Sequence, residues 1–335
     1  MIYRKKTKKD NKNMDTTEKV DLTINLTLPY DKLQRIQNSY QKLANFSCEK
    51  FITDNIPSVI YHYTSPEGLL GILQKDSIHL RYTKYDCFND KTERKNIQEI
   101  LAQLIAELKE SKSYEDSFLS VLSNVKITDT FYKEAKDCNG NKIVGEFHDE
   151  KYLCCFCEDD NILGMWRYYV KNTASKGYCI GLSTDSFPKF DKNLENSLNC
   201  KRIIYSDQKK KEILTEIISL LYEQKEIPWN MNEIFNDYLS DIDTYFKNQC
   251  FSDEKEIRSI IAKEEFPEIR EKIEFKNSNG NFIPYIELKY PKEMLKAITL
   301  SPLMGNDDER NLRYMLEYLG YKNLEIKYSD LPIRF

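Results

Sequence analysis

Residues 61–93 read YHYTSPEGLLGILQKDSIHLRYTKYDCFNDKTE, and they decide the fold class. One of only three histidines, His62, stands between Tyr61 and Tyr63 in a short extended run, Val59–Tyr63, that follows Pro57. In a strand the two tyrosines face away from the histidine, because successive side chains alternate between faces. Ser65 caps, and Pro66 opens, a helix whose buried stripe is Leu69, Leu70, Ile72 and Leu73. A second strand-like run follows, then the polar cluster Asn89-Asp90-Lys-Thr-Glu93. A strand, a helix, a strand and a dense polar ending describe a mixed architecture with a site near its opening.

The 335 residues of the chain suffice for two average domains or one large one. Apolar residues make up 40% and charged residues 31%, the balance of a globular chain with a wet surface. No run approaches the roughly 18 apolar residues of a membrane span. Residues 1–20 are lysine-rich and aperiodic, which predicts a disordered basic tail with no apolar core of a secretory signal. Nine scattered cysteines with no spacing framework predict reduced thiols and a cytoplasmic setting. The net charge of −4 supplies no general attraction to nucleic acid.

The remaining pattern predicts strands at Leu22–Leu28, Tyr152–Cys157, Tyr178–Leu182, Tyr285–Leu288 and Leu324–Tyr328. Helices are expected at Tyr30–Phe51, Thr92–Leu108, Leu163–Tyr169, Lys210–Glu226, Asn232–Phe246 and Asp308–Leu319, with a turn at Asn139-Gly140-Asn141. Strands without regular β-α alternation indicate α+β: mixed or antiparallel sheets with packed and inserted helices. No linker divides the folded part. A single domain over 21–335 is expected, its helical insertions falling at about 95–150 and 208–250.

Each polar cluster has a structural and a functional reading. His62 is either a satisfied core histidine or a ligand group in a cleft. Asp90 and Glu93 fit a capping box, with Asn89 turning the chain before it; equally, they could orient His62 or bind ribose hydroxyls. Trp166 and Tyr169 suit core packing or an aromatic wall for a planar ring. Cys154 and Cys157 have C-x-x-C spacing, but a zinc site needs two further ligands, so no metal is expected. Over Phe251–Ile261, composition favours a helix in which Glu254 and Arg258 pair at i,i+4. A strand would instead put Glu254, Glu256 and Arg258 on one face. No phosphate loop, dinucleotide glycine fingerprint or nucleophile elbow is present.

Taken in order, the motifs resemble the bacterial domain-of-unknown-function 2971 family. They are Tyr61-His-Tyr-Thr-Ser65, Gly68-Leu-Leu-Gly-Ile-Leu73, Phe88-Asn-Asp-Lys-Thr-Glu93, Cys155-Phe-Cys-Glu158, Leu163-Gly-Met-Trp-Arg-Tyr-Tyr169, Gly177-Tyr-Cys-Ile-Gly-Leu182, Asp253-Glu-Lys-Glu-Ile-Arg258 and Ile298-Thr-Leu-Ser-Pro302. Together they cover about Ser58–Phe335. The chain departs from the family pattern with Cys157 in place of serine and with Ser301-Pro302 in place of glycine-proline. The resemblance favours a strand at Glu254–Arg258.

More distantly, the opening strand and helix resemble ADP-ribosyltransferase-type folds. That resemblance implies an NAD-type nucleotide as substrate. It assigns NAD binding to His62, Tyr63, Thr64 and Arg258, and an aromatic wall to Trp166 or Tyr169. Glu254 or Glu256 would be the catalytic acid, acting with His62. Cleaving the nicotinamide–ribose bond builds positive charge on the sugar, which a carboxylate stabilises. The expectation is thus an NAD-dependent transferase or NAD glycohydrolase, of the toxin or anti-phage effector kind, acting on a protein or nucleic-acid target. Two alternatives stand beside it: a non-catalytic nucleotide-sensing or protein-binding module, and a metal-dependent nuclease-like hydrolase using Asp90, Glu93 and Glu158.

Overall fold

The computed structural model describes residues 34, 38, 56–87, 93–127, 130–136, 142–148, 150–170, 176–184, 200–225, 231–262, 272–278 and 280–332. The expected tail at 1–20, the strand at 22–28, nearly all of the helix at 30–51, the 139–141 turn, and Asn89 and Asp90 lie outside them.

Twelve strands and seven helices are described. In chain order they are β1 (Val59–Thr64), α1 (Pro66–Ile72), β2 (Ile78–Lys84), α2 (Glu93–Glu110), α3 (Asp116–Ser123), β3 (Thr130–Lys136), β4 (Lys142–His148), β5 (Lys151–Cys157), α4 (Leu163–Val170), β6 (Tyr178–Ser183), β7 (Cys200–Arg202), α5 (Asp207–Tyr222), α6 (Met231–Asp243), β8 (Glu256–Ala262), β9 (Ile273–Ser278), β10 (Asn281–Tyr290), β11 (Leu295–Leu300), α7 (Asn306–Tyr318) and β12 (Glu325–Tyr328). Ten strands form one sheet, antiparallel except for the parallel pair β11–β12, while β3 and β4 make a separate hairpin. The fold class is α+β.

β5 is the trunk of this sheet. Along one edge it pairs with all of β8, from Lys151–Ala262 to Cys157–Glu256. Its other edge is shared. β2 meets it at Leu153 and Tyr152, and β1 meets it at Cys157. The sheet therefore forks: one arm runs β2-β10-β9, and the other runs β1-β6-β11-β12.

Alternation sorts side chains onto two faces. Ile60, Tyr82, Cys154, Phe156, Ile180, Ile257 and Ile286 line one face and bury against Leu69, Ile72 and Leu73 and against Leu312 and Leu316 of α7. Leu70 was expected in the buried stripe but is exposed, because the stripe of so short a helix is narrower than the apolar run. On the opposite face, Tyr63, Cys157 and Cys179 pack beneath Trp166 and Val170 of α4. A second core lies apart from the sheet: α2 and α3 pack with α5 and α6 through Ile97, Leu101, Leu119, Leu214, Ile217 and Phe235.

The helix that composition favours over Phe251–Ile261 is replaced by a 3-10 turn, Gln249–Glu254, and then β8. Lys255 takes a left-handed conformation, φ 47°, which ends the turn and reverses the chain into the strand. β8 has β5 on one edge and β7 on the other, so its ladder hydrogen bonds override the local helical preference.

Candidate functional site

The strand register decides which predicted site residues can meet. Tyr61 pairs with Cys157, and Cys157 with Glu256; Cys155 pairs with Arg258. Cross-strand partners share a face, so Tyr61, Tyr63, Glu256 and Arg258 lie on the α4-covered side. His62, one residue on, pairs with Ile180 and belongs to the other side. The sheet separates it from the two glutamates.

His62 sits at the fork. Between Leu153 and Cys157, the β1/β2 edge of β5 has no strand partner among the described residues. The His62 Nδ1–H donates to the Cys155 carbonyl at 2.9 Å, supplying the bond that the ladder lacks. Because a carbonyl only accepts, this contact fixes the Nδ1–H tautomer. The ring meets Phe156 edge-on at 5.8 Å between centroids. Burial holds its pKa below the usual histidine value, outweighing the contact with Cys155. It is a neutral imidazole bracing a branch point.

Tyr63 stacks near Tyr169, 6.3 Å between centroids and 28° between planes, and meets Trp166 edge-on at 4.9 Å. The Tyr63 hydroxyl donates to the Asp159 carbonyl at 2.9 Å and accepts from the Ile162 amide at 2.8 Å. It thereby ties β1 to the loop before α4, and burial drives its pKa far up. Trp166 is wholly buried, and its indole N–H donates to Asn161 Oδ1 at 3.3 Å. Tyr169 remains half-buried. Thr64 is buried against α1; a Cβ on Gly68 would come 2.0 Å from its hydroxyl, so the spacing there requires glycine. Gly177 admits α4 in the same way, since a Cβ would stand 2.7 Å from Val170 Cγ1.

Glu256, 5% exposed, is clasped by two cations. Arg258 reaches it with Nε at 2.7 Å and Nη2 at 3.2 Å, and Lys247 Nζ stands at 2.8 Å. Burial alone would raise its pKa, but the attraction of Arg258 and Lys247 prevails and brings it down to about 2. Lys247 also binds Glu254 Oε2 at 2.7 Å, and the two carboxylates raise the lysine's pKa against the opposing effect of burial. Arg258 Nη1 donates to the Thr244 carbonyl at 2.7 Å, tying the sheet to the helical core. Glu254 keeps more solvent contact, its side chain 32% exposed. Lys247, Thr244 and Tyr205, whose hydroxyl accepts from the Glu256 amide at 2.9 Å, escaped the sequence reading. No motif marks them, because the segments after β7 and after α6 meet the strand β8 only in three dimensions.

Around this face runs the acidic loop Glu158-Asp159-Asp160-Asn161. Glu158 pairs with Arg202 at 2.9 Å, Asp159 with Lys255 at 3.4 Å, and Asp160 accepts from Thr299 at 2.7 Å. Among the described residues, no group of three histidine, cysteine or acidic side chains is arranged to hold a metal ion. Of the three carboxylates in the nuclease-like reading, Asp90 lies outside the described residues and so does the Glu93 side chain; Glu158 is engaged with Arg202.

Residues 165–259 match the family model for DUF2971, a protein of unknown function. The DUF2971 segment runs from α4 to β8 and so contains Trp166, Tyr169, Glu254, Glu256 and Arg258, whereas His62, Tyr63 and Thr64 precede it. This match bears out the family resemblance over that stretch. No curated protein and no solved structure matches the chain. Among the described residues, no helix is long and apolar enough to cross a membrane.

Proposed function

We propose that the chain takes an NAD-type nucleotide on the α4-covered side of its sheet and transfers or hydrolyses the ADP-ribosyl unit. The observation that carries this reading is the grouping of Tyr63, Trp166 and Tyr169 on the face that also bears Glu254, Glu256 and Arg258. Tyr169 has the exposure to stack on a nicotinamide ring. Glu254, held by Lys247 alone, is the carboxylate with room to face a sugar cation. The charge of Glu256 is already matched by Arg258 and Lys247, so its part is to position Glu254 through the shared lysine. His62 supports β5 from the opposite face and leaves the ligand shell.

Incubation with labelled NAD and a bacterial lysate tests this directly. Nicotinamide release or a labelled product, lost in Glu254→Gln at unchanged melting temperature, is the expected result. Absence of both binding and turnover refutes the proposal. A second reading, nucleotide sensing without catalysis, is favoured by the full neutralisation of Glu256. Saturable NAD binding with no nicotinamide release, unaffected by Glu254→Gln, would select it.

A further inference from the structure

A hydrogen-bonded chain of three side chains lies elsewhere in the fold, on the β2-β10 arm. Ser77 directly precedes β2, and His79 is its second residue; the extended backbone puts both on one face. Ser77 Oγ stands 2.9 Å from His79 Nε2. On the far side of the ring, His79 Nδ1 stands 2.6 Å from Glu287 Oε1 of β10. A carboxylate accepts, so Nδ1 carries the proton and Nε2 presents its lone pair to the serine hydroxyl. Arg81 Nε donates to the other carboxylate oxygen at 3.2 Å, and its guanidinium lies over the Tyr285 ring, which fixes Glu287.

We propose that Ser77, His79 and Glu287 form an acyl-transfer triad acting on carboxylic esters. Nucleophile, base and orienting carboxylate each lie within hydrogen-bond reach of the next, and the tautomer is the one a general base requires. The His79 and Glu287 side chains are 17% and 20% exposed, sheltered enough to hold their geometry yet open to a ligand. Ser77 is not free to wander. Its carbonyl accepts from the Gln74 amide at 3.1 Å and from the hydroxyl of buried Tyr321 at 3.2 Å.

In the first step, Ser77 Oγ bonds to the acyl carbon while its proton passes to His79 Nε2. The ester C–O bond then breaks, and that proton leaves with the departing alcohol. Water attacks the acyl-serine in the second step, giving a proton to His79 and releasing the acid; the same proton returns to Ser77. Glu287 stays ionised and steadies the imidazolium. Lys75 and Asp76, exposed in the adjoining turn, have amides that donate to no backbone acceptor among the described residues.

A fluorophosphonate probe reads this chemistry, because it forms an Oγ–P bond and expels fluoride only at an activated serine. The full chain is labelled and the modified peptide mapped. Label on Ser77 is expected, absent in Ser77→Ala and slowed about 100-fold or more in His79→Gln. Glu287→Gln should slow labelling by at least about tenfold while leaving the melting temperature near that of the parent. No label on Ser77, or label formed equally fast in folded His79→Gln, overturns the triad. Hydrolysis of p-nitrophenyl acetate that disappears in Ser77→Ala would extend the result to a carboxylic ester; turnover unchanged in that variant would overturn it.

Discussion

The same face of one sheet carries two charged clusters, and they are built differently. Over the trunk, Glu256, Arg258 and Lys247 lie under the helical core, and the Glu256 charge is matched by two cations. On the β2-β10 arm, His79 and Glu287 are only partly covered, and the carboxylate has one exposed arginine. Covering a charge forces its neutralisation, since an unpaired buried ion costs several kcal/mol. The covered cluster therefore ties β8 to the helical core, while the half-covered carboxylate on the other arm keeps solvent contact and a single arginine.

The difference can be broken from its strongest side. Arg258→Met would leave Glu256 buried with Lys247 alone and should cost about 3–5 kcal/mol, read by urea denaturation. Because the Glu256 pKa is depressed to about 2, its contribution is complete above the ordinary carboxylate pKa. That contribution declines as pH falls through about 2, and the parent's acid-unfolding limb should flatten in the variant.

Gly177→Ala should follow, at about 1–3 kcal/mol, as Val170 is forced from its place above β6. His62→Phe leaves the Cys155 carbonyl unpartnered and should cost about 1–3 kcal/mol. The His62 pKa is lowered in the fold, so the unfolded chain takes up a proton first. Stability due to this residue is whole above about pH 6.5 and is lost as pH falls below it, a slope that His62→Phe removes. Smallest is Arg81→Ala on the open arm: this half-exposed pair should contribute under about 1 kcal/mol to thermal stability.

Much of the fold was legible because it is written locally. Ser65 caps α1 by accepting from the Gly68 amide at 3.1 Å, and the continuous apolar run Tyr152–Cys157 marks the trunk strand as buried on both faces. What escaped is written across the chain. The Glu254–Arg258 spacing suits a helix, and only pairing with β5 and β7 shows that β8 is a strand. Tyr61-His62-Tyr63 correctly announced opposite faces, but the sequence could not say that the α4 face would hold the glutamates. Residues 79 and 287 stand 208 positions apart, so nothing local joins them. Ser77 and His79 are two residues apart at the start of a strand, a same-face signal available from the sequence alone.

The fork at β5 carries a mechanical consequence. Two arms of the sheet are hinged on one strand, and a single imidazole spans the gap where they part. Any strain that spreads β1 from β2 is borne first by the His62–Cys155 contact, which makes that contact the seam along which this sheet would open.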